Sequence, residues 1–198
     1  MASFIKNNFK NIINENKIIV AVNNLQELEV ALKTDSKIIF VLIGDICNVE
    51  ETTRKIRSSG KLSIVHIDMI AGLNSRDTIS LDFIKENTYA DGIITTKMVM
   101  AKYAKKIGLI AIQRCFVIDS LSLVNVKKIL KDSEIDAIEI LPGVMPKILK
   151  EISLNISIPL IAGGLISSVE DVENAILAGA DAVSTTKLNL KYSKIISK

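Results

Sequence analysis

Two cysteines and a single histidine in 198 residues exclude several chemistries at once. Cys47 and Cys115 fall at the ends of different predicted strands. They are too few for a disulfide framework and read as reduced thiols. With His66 as the lone imidazole and no third cysteine, a zinc site lacks ligands, so no metal is expected. Apolar runs are short: residues 38–44 and 109–112 are strand-length, far below the roughly 20 residues that cross a bilayer. Residues 2–17 are rich in Asn and Lys without the apolar stretch of a secretory signal, so the cytoplasm is the expected compartment. No segment is low in complexity, and no internal repeat is obvious residue by residue. Arginine is scarce too, at Arg54, Arg57, Arg76 and Arg114 only. The net charge of +3 comes from lysines scattered along the chain. A nucleic-acid footprint would gather them on one face, so charge alone identifies no partner.

What is present is a rhythm. Apolar runs at 18–22, 38–43, 62–67, 92–96, 109–112, 137–141, 160–162 and 182–184 are β-branched-rich and nearly continuous, as parallel strands covered on both faces must be. Amphipathic stretches separate them. Leu25, Leu28, Ala31 and Leu32 form one helical stripe, and Val169, Val172, Ala175 and Ile176 form another that opens on a Ser168/Asp171 capping box. Gly60, Gly108 and Gly179 mark helix ends just before strands. Eight strand–helix units in under 200 residues leave no room for a second domain. The expected fold is a small (β/α)₈ barrel of the TIM type over residues 1–198, with residues 1–17 as a short helical extension lying outside it. The rival is an open doubly wound sheet, which usually has fewer strands.

In such a barrel the working face is the ring of loops after the strands. Those ends carry Asn23, Asn24, Asp45, His66, Asp68, Lys97, Gln113, Arg114, Glu139, Gly163, Gly164, Ser184, Thr185 and Thr186. The most specific piece is Ile161-Ala-Gly-Gly-Leu-Ile166, followed one helix later by Ala182-Val-Ser-Thr-Thr186. Gly163 and Gly164 lack a Cβ, so their amides can approach an anion. A helix starting near Ser168, or a short one after Thr186, would aim a positive dipole end at it. Ser184, Thr185 and Thr186 add hydroxyls and amides, and barrels of this class bind phosphate at loops seven and eight. The competing reading is a tight turn and a helix cap.

Other rim residues admit more than one role. Lys97 could neutralise a ligand oxyanion, form a Schiff base or stay solvated. His66 and Asp68, two apart on a strand, would face one side, as an acid–base pair, as hydroxyl ligands, or with His66 merely structural. Arg114 and Glu139 could touch ligand or pair with each other. Pro142 and Gly143 shape a loop.

On these residues the sequence resembles the glycerol uptake operon antiterminator regulatory protein family. The matching stretches are His66-Ile-Asp-Met-Ile-Ala-Gly-Leu73, Gly92-Ile-Ile-Thr-Thr-Lys97, Ala111-Ile-Gln-Arg-Cys-Phe116, Ile138-Glu-Ile-Leu-Pro-Gly-Val-Met-Pro146 and the two phosphate-loop segments. The resemblance implies a barrel, not an enzyme, that senses glycerol 3-phosphate as effector without a cofactor. It then binds the leader messenger RNA of a glycerol-uptake operon, letting transcription pass a terminator. By position, Gly163, Gly164, Ser184 and Thr185 would hold the phosphate, with Asp68, Lys97, Arg114 and Glu139 toward the glycerol end. Departures lie at both ends: the first strand lacks the expected proline and basic residue, and the aromatic expected after the final Ser/Thr loop is replaced near Leu190 and Lys191. The alternative is an isomerase- or aldolase-like enzyme of a sugar or triose phosphate, using Lys97 or the His66/Asp68 pair. The RNA surface would lie on the lysine-rich periphery, with Arg54, Lys55 and Arg57 as candidates beside the reading of a solvated helix face.

Overall fold

Runs of Ile and Val that are apolar on both faces need cover on both sides. Eight of them find it by closing into a barrel, in a computed structural model that describes residues 2–131 and 134–190. The strands are β1 (Ile18–Val22), β2 (Ile38–Val41), β3 (Leu62–His66), β4 (Gly92–Thr95), β5 (Ile110–Phe116), β6 (Ala137–Leu141), β7 (Leu160–Gly163) and β8 (Ala182–Thr185). They pair in parallel and in chain order, and β8 returns to β1. Seven helices cross over between them: α2 (Leu25–Ala31), α3 (Val49–Ser58), α4 (Ile79–Asn87), α5 (Met98–Lys106), α6 (Ser120–Lys131), α7 (Pro146–Ser153) and α8 (Val169–Leu177). The expected eighth, after β8, falls outside the described residues.

Local signals act as their chemistry requires. Ser168 Oγ accepts from Asp171 N, and the Asp171 carboxylate accepts from Ser168 N, which fixes the start of α8. Helices α3, α5 and α8 stop at Gly60, Gly108 and Gly179, each in a left-handed conformation just past its cap.

Period-two alternation divides the core in two. Val20, Val65, Ile93, Ile138, Leu160 and Val183 face outward and pack under the helices. Ile19, Ala21, Phe40, Ile64, Ile94, Ile112, Ala137, Ile161 and Ala182 fill the barrel interior. The N-terminal helix α1 (Ala2–Glu15) joins this inner cluster. Phe9 and Ile13, one helical turn apart, are buried with it, and Lys10 Nζ donates to Ser157 O just before β7. The helix is present as expected, but it caps the strand-start end instead of lying free of the barrel. An open barrel end lined by Ile38 and Ile110 would otherwise meet water. That seal leaves the opposite end as the open mouth.

Strand β5 differs from expectation in length. It runs on through Gln113, Arg114 and Cys115 because each pairs in register with β6: Gln113 with Ile138, Arg114 with Glu139, and Cys115 with Ile140.

Candidate functional site

Two residues beyond the apolar interior layer, the same inward positions turn polar. Ile64 is followed by His66, Ile112 by Arg114, Ala137 by Glu139, Ile161 by Gly163 and Ala182 by Ser184, so these five residues converge at the mouth. Glu139 is fully buried and fully engaged: Oε2 accepts from Arg114 Nε at 2.5 Å and Oε1 from Ser184 Oγ at 2.5 Å. Arg114 and Glu139 thus pair with each other, which does not remove Arg114 from reach of a ligand. Arg114 nonetheless spends only Nε on the carboxylate, and its two terminal nitrogens have no acceptor among the described residues. A guanidinium held by one edge and free at the other is well suited to grip an oxyanion or a hydroxyl.

Gly163 has a role that sequence reasoning missed. A Cβ there would collide with the Glu139 carboxylate and come within 2.7 Å of Ser184 Oγ, so the glycine makes room for the Arg114–Glu139–Ser184 chain. Gly164 and Leu165 follow at φ +72° and +62°, turning the chain sharply away from the barrel. Gly143 fastens this turn, donating to Gly163 O at 2.5 Å and Gly164 O at 3.1 Å. On the other side Thr185 Oγ1 donates to Ile166 O at 2.8 Å and accepts from Lys187 N at 3.0 Å. The side chains of Ser184 and Thr185 are therefore occupied within the fold. The donors left over are main-chain ones: the amides of Gly164, Leu165 and Thr186 have no acceptor among the described residues. The α8 dipole is not the free anion site that the sequence suggested, because Asp171 Oδ2 already takes the Ser167 and Ser168 amides, each at 2.9 Å. Directly after Thr186, residues 187–190 form a turn and not a helix, and any helix beyond lies outside the described residues.

His66 and Asp68 do not share a strand face as expected. β3 ends at His66, and residues Ile67–Met69 form a 3-10 turn that carries Asp68 over the rim toward β4. His66 Nδ1 stands 3.7 Å from Asp68 Oδ2, beyond hydrogen-bond length, and has no partner although it is buried. Burial, aided by the charge of Arg114, pushes His66 down to about 4, so the ring is neutral at physiological pH. Asp68 instead serves β4: Oδ2 accepts from Thr96 N at 2.9 Å, and Lys97 Nζ bonds Oδ1 and also Ser75 Oγ at 2.8 Å. Burial opposes ionisation of Asp68, but these hydrogen bonds outweigh it and hold the carboxyl below its ordinary value. Gln113, pointing outward, braces the same loop by donating to Thr96 O at 2.9 Å.

Elsewhere, Cys115 is a buried thiol pushed up to about 11 by burial, and Cys47 is exposed and unpaired. No cluster of three metal-ligating side chains occurs among the described residues. A cavity of about 660 Å³ lies away from the mouth, between residues 14–18, α2 and Leu188 and Leu190, and none of the mouth's polar side chains lines it. The proposed basic surface on α3 is compensated: Arg54 pairs with Glu50, Lys55 with Glu51, and Arg57 with Asp91. No described helix is long and apolar enough to cross a membrane.

Comparison with known proteins agrees with this geometry. A family model described as glycerol-3-phosphate responsive antiterminator matches residues 18–190. The uncharacterized protein YgcP of Escherichia coli K12 is 41% identical over 175 residues, or 88% of this chain and 91% of that one. The crystal structure of a glycerol uptake operon antiterminator regulatory protein from Listeria monocytogenes superposes with a TM-score of 0.83 at 32% identity, covering 88% of this chain and 94% of that one. That of an antiterminator-related protein from Thermotoga maritima gives 0.77 at 28% identity, covering 87% and 96%.

Proposed function

The chain belongs to the glycerol-3-phosphate responsive antiterminator family, and on that premise we propose that it binds glycerol 3-phosphate at the barrel mouth and, so loaded, binds the leader of a glycerol-uptake operon messenger RNA in the cytoplasm. The observation that carries the ligand half is one meeting of features. The half-free guanidinium of Arg114 is linked through Glu139 to Ser184, which pairs with Gly163 at a turn whose Gly164 and Leu165 amides, with that of Thr186, have no acceptor among the described residues. A phosphate needs several such donors and a cation. The glycerol hydroxyls would meet the unpaired Nδ1 of His66 and the Lys97–Asp68 pair. Glu139 supports by holding Arg114 and is too deeply buried to touch the ligand itself. The RNA half follows from the family and from the need to couple two ligands.

The reading as an enzyme is weaker on the same geometry. Lys97 is tied to both Asp68 and Ser75, and Glu139 to both Arg114 and Ser184, so both carboxylates are engaged within the fold and neither stands free to take a substrate proton. No cofactor is needed for a binding role. Calorimetric titration with glycerol 3-phosphate tests the reading directly: saturable binding with no conversion of the ligand supports it, and no binding removes it.

A further inference from the structure

The corner between β7 and β8 has a counterpart within the same chain. Residues 90–98 read Ala-Asp-Gly-Ile-Ile-Thr-Thr-Lys-Met, and residues 180–188 read Ala-Asp-Ala-Val-Ser-Thr-Thr-Lys-Leu, with five of nine positions identical. The repeat is hidden in the sequence because little else matches, but the geometry repeats closely. Asp91 bonds Ser63 through its amide and its carboxylate, and Asp181 bonds Leu160 in the same two ways. His66 pairs with Ile94 in one half, and Gly163 with Ser184 in the other. Thr95 Oγ1 accepts from Lys97 N at 3.1 Å, as Thr185 Oγ1 accepts from Lys187 N at 3.0 Å.

The two corners differ in what stands at the rim. In the first, the carboxylate of Asp68, two residues past His66, is held by Thr96 N and Lys97 Nζ. In the second, the residue two past Gly163 is Leu165, which is 73% exposed and offers no acceptor. Thr186 N is accordingly unpaired, and Lys187 has no side-chain partner among the described residues. The β3–β4 corner is thus a filled version of the site, with a built-in anion at the rim position that Leu165 takes in the β7–β8 corner, where the Glu139 carboxylate is already spent on Arg114 and Ser184.

We infer that Lys187 and the Thr186 amide grip the phosphate of the ligand, just as Lys97 and the Thr96 amide grip Asp68. Carboxylate and phosphate present the same chemistry to an N–H and an ammonium, and both accept charge-assisted hydrogen bonds. The inference rests on the reading that the ligand's phosphate occupies this corner, and it adds a cation that no glycine or hydroxyl pattern pointed to.

The test is calorimetric titration of the full chain and its Lys187→Gln, Lys187→Arg and Lys85→Gln variants with glycerol 3-phosphate. Lys187→Gln should bind about 10- to 100-fold more weakly at unchanged melting temperature, which is the range for losing a charge-assisted hydrogen bond. Lys187→Arg should recover most of that loss, and Lys85→Gln, on the exposed side of α4, should match the native chain. The phosphorus NMR titration of the bound ligand should also shift to higher pH in Lys187→Gln, because a neighbouring cation favours the dianion. Native affinity in Lys187→Gln overturns the assignment and leaves the effector reading standing. If the native chain does not bind glycerol 3-phosphate, the effector reading fails instead. The same variants are then titrated with inorganic phosphate, and equal affinity across them overturns the corner as an anion site.

Discussion

Arg114 and Glu139 stand side by side in the β5–β6 register, and the guanidinium donates Nε to a carboxylate that is wholly buried. The pair is the pivot between fold and site, since one charge is spent on the other and the terminal nitrogens of Arg114 have no acceptor among the described residues. Removing the cation strands a buried carboxylate with only Ser184 for company. Arg114→Met should therefore cost about 3–5 kcal/mol in urea unfolding and abolish glycerol 3-phosphate binding. A loss under about 1 kcal/mol would mean that Glu139 finds another partner, such as water, once Arg114 is gone.

Gly163→Ala tests the packing beneath that pair. The added methyl falls on the Glu139 carboxylate and 2.7 Å from Ser184 Oγ, neither of which can move without breaking its bond. A loss of about 1–3 kcal/mol is expected, the range for overpacking a close-packed interior, measured by chemical denaturation with ligand affinity as a second readout. Gly164→Val, by contrast, would be a poor probe of the anion site. At φ +72° with Leu141 3.2 Å away, any side chain strains the turn whether or not an anion binds there.

The fold was legible because its signals are local and redundant. Continuous β-branched runs, a Ser168/Asp171 box and glycines past helix ends each point to the same barrel. The reach of β5 was not legible, because a polar Gln-Arg pair looks like a loop until Glu139 is seen opposite. Nor was the docking of α1, since Phe9 and Ile13 make too short a stripe to say what they cover. At the site, sequence could nominate Gly163 but not its reason, which is a carboxylate from a strand 24 residues earlier. Asp68 was misplaced by counting strand alternation through a 3-10 turn. Lys187 was missed because a lone lysine carries no signal until its corner is compared with the one around Lys97.

His66 gives a pH dependence with a definite sign. Its ordinary value of 6.5 is lowered to about 4, by burial first and by Arg114 second. Between those two values the unfolded chain binds a proton on this ring and the folded chain does not. Stability therefore falls as pH drops from 6.5 toward 4 and loses nothing further from this group below that. From about pH 7.5 to about pH 5 the native chain should lose up to about 2 kcal/mol more than His66→Gln. Thermal or urea unfolding of both proteins at the two pH values checks this, and parallel losses would show that the ring is protonated in the fold.

Lys97 separates binder from enzyme. Its Nζ is bonded to Asp68 and Ser75, so the nitrogen is committed within the fold and not presented to a substrate carbonyl. Borohydride in the presence of dihydroxyacetone phosphate should trap no adduct on Lys97, as judged by mass spectrometry of the intact chain. Turnover of triose and pentose phosphates should stay at background. A trapped adduct at this residue would establish carbonyl chemistry and displace the regulatory reading.

On the proposed reading, the coupling of effector to RNA is the step that would give the barrel its biological use. Glycerol 3-phosphate can shift RNA affinity only if it binds the RNA-competent state more tightly than the other, and a coupling of about 1–3 kcal/mol corresponds to a 5- to 150-fold change. Arg54, Lys55 and Arg57 are already paired with Glu50, Glu51 and Asp91, so the charge of α3 is mostly balanced and an RNA would have to displace those carboxylates. Contacts made by scattered lysines should still release counterions and weaken as salt rises. The deciding measurement titrates the operon leader RNA at two salt concentrations, with and without saturating glycerol 3-phosphate. Tighter binding with the effector, and a steeper salt slope in that state, is the expected outcome. Equal affinity in both states would leave a sugar-phosphate-binding barrel whose occupancy is read by something other than this RNA.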